Sequence, residues 1–446
     1  MPAPTAPHVL CTASNLVVDF QTARAIQCPR SRPGYMCAGT PTFLEFKRNG
    51  GWSSLCLTTS DFQPRMFPAD HLRDYALAFA GASSSEQMPV VDLDMETPVV
   101  LVTRERGEHF NWYHSTTDLV NAFISCYVNG WDPAEVDVVF LDNHKSGPYD
   151  HLWARLFRKL VRTSTFYNDA MRLAGGKVVR FARAALSPPG YTSIFFDKNP
   201  QCTGGVGLLR AYATYVLNGL GLQMRDLTGA PKSTPLRITF ISRRPYHSFV
   251  DHSFMGRQIA NEAELVDMLH ALGKPPKPLP SPSPPPPSSP PPPLRSSHAG
   301  NATEAKPRSH RRVVQSPPPP PSPRSLRTRP VVVDVVDFSQ YAFSNQLDIV
   351  SQTDVLVGMH GAALTHSLFL PDHAALVELR PVDDSPPMYA RTSQWSGIHY
   401  ASWTNTAFPA NHIKDENGDY TTIDLEELRE IMAEVIDVVI GRIEDD

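Results

Sequence analysis

Residues 348–381 hold the chain's densest set of groups able to bind a phosphate. Thr353-Asp354 precedes the apolar run Val355-Leu356-Val357, short enough for a buried strand. Gly358-Met359-His360-Gly361 follows at once, and the small residues Ala362 and Ala363 open an apolar helix to about Leu370. A second buried strand, Ala375 to Leu379, carries Glu378 near its C-terminal end. A glycine turn between a parallel strand and a helix is where open α/β sheets bind ligands. The backbone approaches a phosphate closely there, and the helix N-terminus offers unpaired N–H groups and a positive dipole end. The spacing therefore points to a nucleotide site at Gly358, His360, Gly361 and Ala362, with Glu378 accepting hydrogen bonds from ribose hydroxyls.

Strands alternating with helices position this turn, the pattern of a parallel, doubly wound sheet. Val99 to Val102 and Val136 to Leu141 read as buried strands, with a helical pattern between them through Leu119, Val120, Phe123 and Tyr127. Leu152 to Leu160 reads as helix, Val178 to Phe181 and Ser193 to Phe196 as strands, and Leu208 to about Leu217 as helix. A second unit begins with the strand Leu236 to Ser242, ending in Arg243-Arg244. Asn261 with Glu264 forms a capping-box pattern ahead of Leu265, Met268, Leu269 and Leu272, one apolar helix face. Val331 to Val336 is a strand, about Ser339 to Val350 a helix, Met388 to Trp395 a helix, His399 to Trp403 a strand, and Asp424 to about Ile440 a last helix. Asp415 to Asp419 reads as a loop, because Tyr420 stands where a calcium loop requires glycine. Residues 1–95 read as an irregular, cysteine-containing N-terminal region, followed by units over 96–230 and 231–446.

Residues 274–330 hold roughly half of the chain's 44 prolines. Such a composition cannot bury a core and favours extended polyproline II. The preceding helix and the following strand belong to one α/β unit, so the segment reads as a disordered insertion in a surface loop, tolerated because loop entropy grows slowly with length. Its Ser-Pro runs are similar to those of hydroxyproline-rich wall glycoproteins.

At 446 residues the chain is long enough for two domains. A net charge of −4 and a pI near 6.5 provide no basic field for nucleic acid. No apolar run of about 18 residues suggests a membrane span, and the N-terminus has no signal-peptide pattern. The expectation is a chain lacking its own leader or anchor. Of six cysteines, four fall in the first 56 residues with no CxxC pair, which argues against zinc and permits disulfides in a secretory lumen. Asn301-Ala302-Thr303 is a glycosylation sequon.

The stretch GMHGAALTHSLFLPDHAALVEL resembles the donor-site signature of glycosyltransferase family 61, and is most similar to its branch of EGF-domain-specific O-linked N-acetylglucosamine transferases. Ala363 stands where that pattern has its last glycine. Four further segments match in order: Asn111-Trp112-Tyr113-His114 with Asp118; Cys202 with Gly207-Leu208-Leu209-Arg210-Ala211; Ile238 to Arg243 with Arg257, Ile259, Asn261 and Glu264-Leu265; and Gly397 to Trp403. The resemblance implies a GT-B architecture, two Rossmann-like domains facing a cleft, in which the last helix often crosses back to the first domain. It implies transfer of a sugar from a UDP-sugar, with inversion, to a protein or glycan hydroxyl.

Inversion by one displacement needs a base on the acceptor hydroxyl and charge stabilisation of the leaving UDP. His114 and Asp118, at i and i+4, share a helical face, and either can be the base or orient the other. Arg243, Arg244 and Arg257 are candidates for the diphosphate, because arginine forks match phosphate oxygens in pairs. His360 and Gly361 would lie against it, with Thr365 and His366 supporting the turn or touching the nucleotide. Asp92-Leu93-Asp94 is a common D-x-D triplet outside the nucleotide unit, so no metal is expected to be required. The expected donor sugar is N-acetylglucosamine and the expected compartment the Golgi or endoplasmic reticulum. The alternatives are a UDP-xylose-dependent β-1,2-xylosyltransferase and a non-catalytic wall glycoprotein.

Overall fold

The computed structural model describes residues 11–26, 43–55, 71–82, 88–104, 108–166, 176–196, 207–244, 246–247, 254–255, 257–272, 329–382, 387–415 and 418–445. Most of the Pro-rich segment, the sequon and Cys28, Cys37, Cys56 and Cys202 lie outside these residues. Cys126 is buried and carries a free thiol. The helices are α1 (His71–Ala78), α2 (Trp112–Val128), α3 (Asp150–Leu156), α4 (Gly207–Gly219), α5 (Glu262–Ala271), α6 (Phe343–Ser351), α7 (Met388–Ser396) and α8 (Leu425–Asp445). No helix among the described residues is long and apolar enough to cross a membrane.

Two sheets organise the fold. The first runs in the order Phe79–Ala82, Trp52–Leu55, Cys11–Asp19, Val178–Leu186, Val99–Val102, Asp137–Phe140, Lys159–Arg162. Its last four strands are mutually parallel, whereas Cys11–Asp19 runs antiparallel to both neighbours. The N-terminal region, expected to be irregular, thus threads a strand through the middle of this sheet. The second sheet is wholly parallel, in the order Val331–Val336, Leu236–Ile241, Val355–Met359, Ala375–Arg380, His399–Thr404. Leu236–Ile241, α5 and Val331–Val336 form one β-α-β unit, with Leu236 opposite Val331.

Alternation along the strands sorts the interior into three clusters. Val99, Leu101 and Val139 face an outer core with Leu16, Val18 and Phe181. Val100, Val102 and Val138 face inward, and so do Ile241, Leu356 and Leu376 of the second sheet. These inner faces share one central core, filled by α2, α4, α6 and the 3-10 helix Ala362–Phe369. Val355, Val357 and Val377 face a third cluster, covered by α5 and α8. The last helix therefore stays on the second sheet rather than crossing to the first.

Tertiary context overrides local pattern at several places. The helix expected over Leu152 to Leu160 ends at Leu156, and Lys159–Arg162 pairs as the edge strand beside Asp137–Phe140. Ser193 to Phe196 is not a strand. Pro188-Pro189 leads into the 3-10 turns Gly190–Thr192 and Ile194–Phe196. The segment opened by Ala362 is a 3-10 helix, so residues three apart eclipse along it. Asn261 precedes α5 without capping it, because its amide instead bridges the backbone N–H and C=O of Ile423. Of the segment expected as a loop, Glu416 and Asn417 lie outside the described residues, while Asp415 and Asp419 belong to paired strands, His412–Asp415 antiparallel to Gly418–Thr421.

Two buried polar groups make the packing sensitive to charge. Arg104 is 2% exposed. Its guanidinium donates to both oxygens of Asp142 at 2.8 and 3.2 Å and to Asp150 at 2.9 Å, and lies 3.9 Å over the Phe140 ring. Burial pushes the Asp142 carboxyl up, but Arg104 and then His144 outweigh it and hold it well below the usual carboxylate range. His366 sits in the central core with Phe338 at 4.8 Å, Phe343 at 5.6 Å and Trp112 at 5.8 Å between ring centroids. Its Nδ1 donates to the Ala363 carbonyl, and burial lowers its pKa from 6.5 to about 4.

Arg104→Met leaves Asp142 buried and unpaired, and we expect a loss of about 3–5 kcal/mol in denaturant unfolding. For His366 the unfolded chain takes up a proton below pH 6.5 that the folded chain refuses until about pH 4. Stability is therefore full above that window and falls as pH drops through it, by about 3 kcal/mol at 1.36 kcal/mol per pH unit. Unfolding of His366→Phe followed from pH 7 to pH 4 should lack this component; an unchanged slope would refute the assignment.

Candidate active site

The parallel sheet has one place where its connections diverge. From Leu236–Ile241 the chain passes to the strand on one side, and from Val355–Met359 to the strand on the other. Numbered along the chain, the order is 2-1-3-4-5. Open α/β sheets bind ligands in the crevice beyond the carboxyl ends of two such diverging strands, and there the chain places Ser242-Arg243 and His360-Gly361. Arg243 Nη1 donates to the His360 carbonyl at 3.1 Å, and Arg257 Nη1 to the same oxygen at 3.3 Å. A Cβ at Gly361 would overlap the Arg243 guanidinium, so a side chain there would displace the arginine from this position. Arg257 has φ +65°, a left-handed conformation that costs a non-glycine residue roughly 1 kcal/mol or more. Pairing of Gln258–Ile259 with Tyr420–Thr421 over-determines it. Arg244 points out of the crevice, exposed and paired with Glu262 at 3.2 Å.

Two guanidinium groups on one neutral carbonyl make a concentrated positive pole beside the glycine turn. Beneath it lies an anion. Glu378, next to Gly358 across the ladder, is 0% exposed. Its Oε1 bonds His360 Nδ1, and its Oε2 accepts the Tyr400 hydroxyl at 2.6 Å. Burial, then the Glu378 charge, drives the Tyr400 phenol up, so it stays a donor. A carboxylate partner requires the proton on His360 Nδ1. With both oxygens engaged and no exposure, Glu378 does not offer ribose the open carboxylate expected of it.

The first sheet contributes the start of α2, where the Asn111 side chain accepts from the Tyr113 N–H at 2.9 Å. His114, in the first turn, is half-buried, with its ring 6.2 Å from Phe196. Asp118, one turn on, is 4% exposed and faces the loop after Val178–Leu186. A Cβ on Gly190 would meet its Oδ1 at 2.6 Å. Two tyrosines stand between His114 and His360. Ring centroids step from His114 to Tyr113 at 5.6 Å, to Tyr389 at 6.1 Å and to His360 at 5.3 Å.

The structure thus gathers Arg243, Arg257, His360 and Gly361 at one point, with Ala362 opening the 3-10 helix beside them. His114 lies across the tyrosine pair. Gly358 is buried between Leu364 and Ile241, Thr365 is buried beside Tyr389, and His366 belongs to the core. Tyr400 and Tyr389 were not read as site residues from sequence. Tyr400 lies in the matched segment Gly397 to Trp403 and Tyr389 in a helix near the turn, but strand register decides whether either reaches it. Asp92 accepts the Val178 N–H at 2.8 Å and Asp94 pairs with Arg180, so that triplet holds the first sheet together. Among the described residues, no group of three His, Cys, Asp or Glu stands close enough to hold a metal ion.

The glycosyltransferase 61 family profile matches residues 324–377, which include the glycine turn. An EGF domain-specific O-linked N-acetylglucosamine transferase of Gallus gallus is 26% identical over 324 residues, 71% of this chain and 46% of that protein. The protein of the same name from Drosophila melanogaster is 25% identical over 320 residues, 70% of this chain and 46% of its own. A beta-1,2-xylosyltransferase of Oryza sativa subsp. japonica is 22% identical over 325 residues, 69% of this chain and 49% of that protein. The chain spans about half the length of the curated relatives it matches. The profile match falls on the very turn where two arginines and a histidine converge, and over that stretch the chain is similar to glycosyltransferase family 61.

Proposed function

We propose that the protein is an inverting glycosyltransferase that moves N-acetylglucosamine from a UDP-sugar to a protein or glycan hydroxyl in the secretory pathway, and that its two sheets are the halves of a GT-B architecture. The observation that carries this reading is the convergence of Arg243 and Arg257 on the His360 carbonyl at the divergence of the parallel strands. A diphosphate fits that pole, because guanidinium forks and backbone N–H groups both donate to phosphate oxygens.

In the reaction the acceptor oxygen forms a bond to the anomeric carbon as the bond from that carbon to the β-phosphate oxygen breaks. The electron pair leaves with UDP, and the acceptor proton goes to a base. Charge grows on the diphosphate, where Arg243 and Arg257 stand preorganised and need no reorientation. His114, half-exposed with Asp118 one helical turn behind it, is the base in this reading. Basic groups supply the charge that a divalent ion supplies elsewhere, so the reaction does not depend on metal. The rice relative keeps UDP-xylose as a second reading of the donor.

Donor hydrolysis and thermal shift with UDP-N-acetylglucosamine, UDP-xylose, UDP-arabinose, UDP-galactose and free UDP, with manganese or EDTA, test this. A ligand at a hundred times its Kd stabilises the folded chain by about 2.7 kcal/mol. We expect a shift with UDP and with one sugar nucleotide, insensitive to EDTA and abolished in Arg243→Ala and Gly361→Ala. A selective response to UDP-xylose would replace the sugar. No response to any uridine diphosphate by folded protein would leave the non-catalytic reading.

A further inference from the structure

Glu378 has no face toward solvent, and each of its oxygens has a partner. A carboxylate that binds ribose must keep an oxygen open to two hydroxyls. This one is instead clamped between a phenol that can only donate to it and an imidazole nitrogen. The clamp fixes the ring. His360 Nδ1 is committed to Glu378, and the backbone N–H of His360 donates to the Leu379 carbonyl at 2.8 Å. The Tyr389 ring closes one side, at 5.3 Å between centroids. Nε2 makes no hydrogen bond among the described residues. It is the one polar atom of the ring left to meet a ligand, on the residue whose carbonyl already receives both arginines.

We propose that Glu378 and Tyr400 are positioning residues that lock His360 so that its Nε2–H becomes a third donor, beside Arg243 and Arg257, to the diphosphate of the bound nucleotide. The proposal rests on the UDP-sugar reading above. Glu378 is the counter-charge of a ring that donates from both nitrogens, one inward to the carboxylate and one outward to phosphate. Tyr400 occupies the second carboxylate oxygen and prevents the group from turning away from the ring. The arrangement follows the logic by which a buried carboxylate orients a working histidine without touching substrate.

The test separates phosphate from ribose. Binding of uridine, UMP and UDP is measured by calorimetry on the full chain and on Glu378→Gln, Tyr400→Phe and His360→Asn. We expect Glu378→Gln to weaken UDP about tenfold, the size of one hydrogen bond to a charged group, with uridine binding unchanged and UMP between. Tyr400→Phe should move UDP the same way by less. It keeps the carboxylate, and so decides the question should Glu378→Gln not fold. Adding Glu378→Gln to His360→Asn should cost nothing further, because the carboxylate acts through that ring. Equal losses for uridine, UMP and UDP would mean a ribose contact and overturn the proposal. A lowered unfolding temperature with unchanged UDP affinity would mean a purely structural clamp and overturn it as well. If the parent chain binds uridine and UDP equally, the UDP-sugar reading itself fails.

Discussion

Parallel strands present their carboxyl ends on one edge of a sheet, and where neighbouring connections run to opposite sides nothing covers the gap between them. The divergence between Leu236–Ile241 and Val355–Met359 imposes that gap here. What fills its rim follows from covalent sequence. Residues just past a strand end must project there, and these are Ser242-Arg243 on one strand and His360-Gly361 on the other. The next strand over brings Glu378 beneath the turn, and the one after it brings Tyr400. The site is a consequence of strand order as much as of side chains. The same residues on a sheet wound in one direction only would not meet.

The two halves of the molecule are held together by apolar packing rather than by a polar interface. Trp112 of α2 lies 4.3 Å from Phe343 and 6.3 Å from Phe369 between ring centroids, so the first residue of α2 is already inside the core shared by both sheets. His114, two residues on, is carried to the rim by the same helix. Arg210 of α4 adds a tether, donating to the Leu370 carbonyl at 2.9 Å and pairing with Asp372 just beyond the 3-10 helix. Burial of this guanidinium lowers its pKa to about 10, still far above physiological pH, so the tether remains charged. Because the core is continuous, a shift of α2 moves His114 relative to His360 through packed rings.

The second sheet was legible in the sequence because its central strands are short apolar runs between turn residues. Val355–Met359 and Ala375–Arg380 are buried along nearly their whole length, which removes the ambiguity of a half-exposed strand. Strand order and register were not legible, and they decide which site residues meet. Adjacent arginines look equivalent in sequence; the end of the strand turns Arg243 inward and leaves Arg244 to Glu262. Glu378 looked free for ribose because nothing in its own segment announces Tyr400, twenty-two positions later on the neighbouring strand. The strand Cys11–Asp19 escaped for a related reason. Its partner, Val178–Leu186, lies far along the chain, and its own residues alternate only weakly in burial.

Two carboxylates are buried at the carboxyl ends of strands, one in each sheet, and their partners differ in kind. Asp142 is gripped by the Arg104 fork, which satisfies both oxygens and leaves its last nitrogen to Asp150. An arginine so used has its donors turned inward; it can fix a loop but has little left to offer a ligand. Glu378 is gripped instead by a phenol and an imidazole. The phenol ends at its single hydroxyl, whereas the imidazole has a second nitrogen on the far side of its ring. A rigid anion behind one nitrogen fixes the direction of the other. The first arrangement closes a structure, and the second transmits the position of a buried charge to the surface of a crevice.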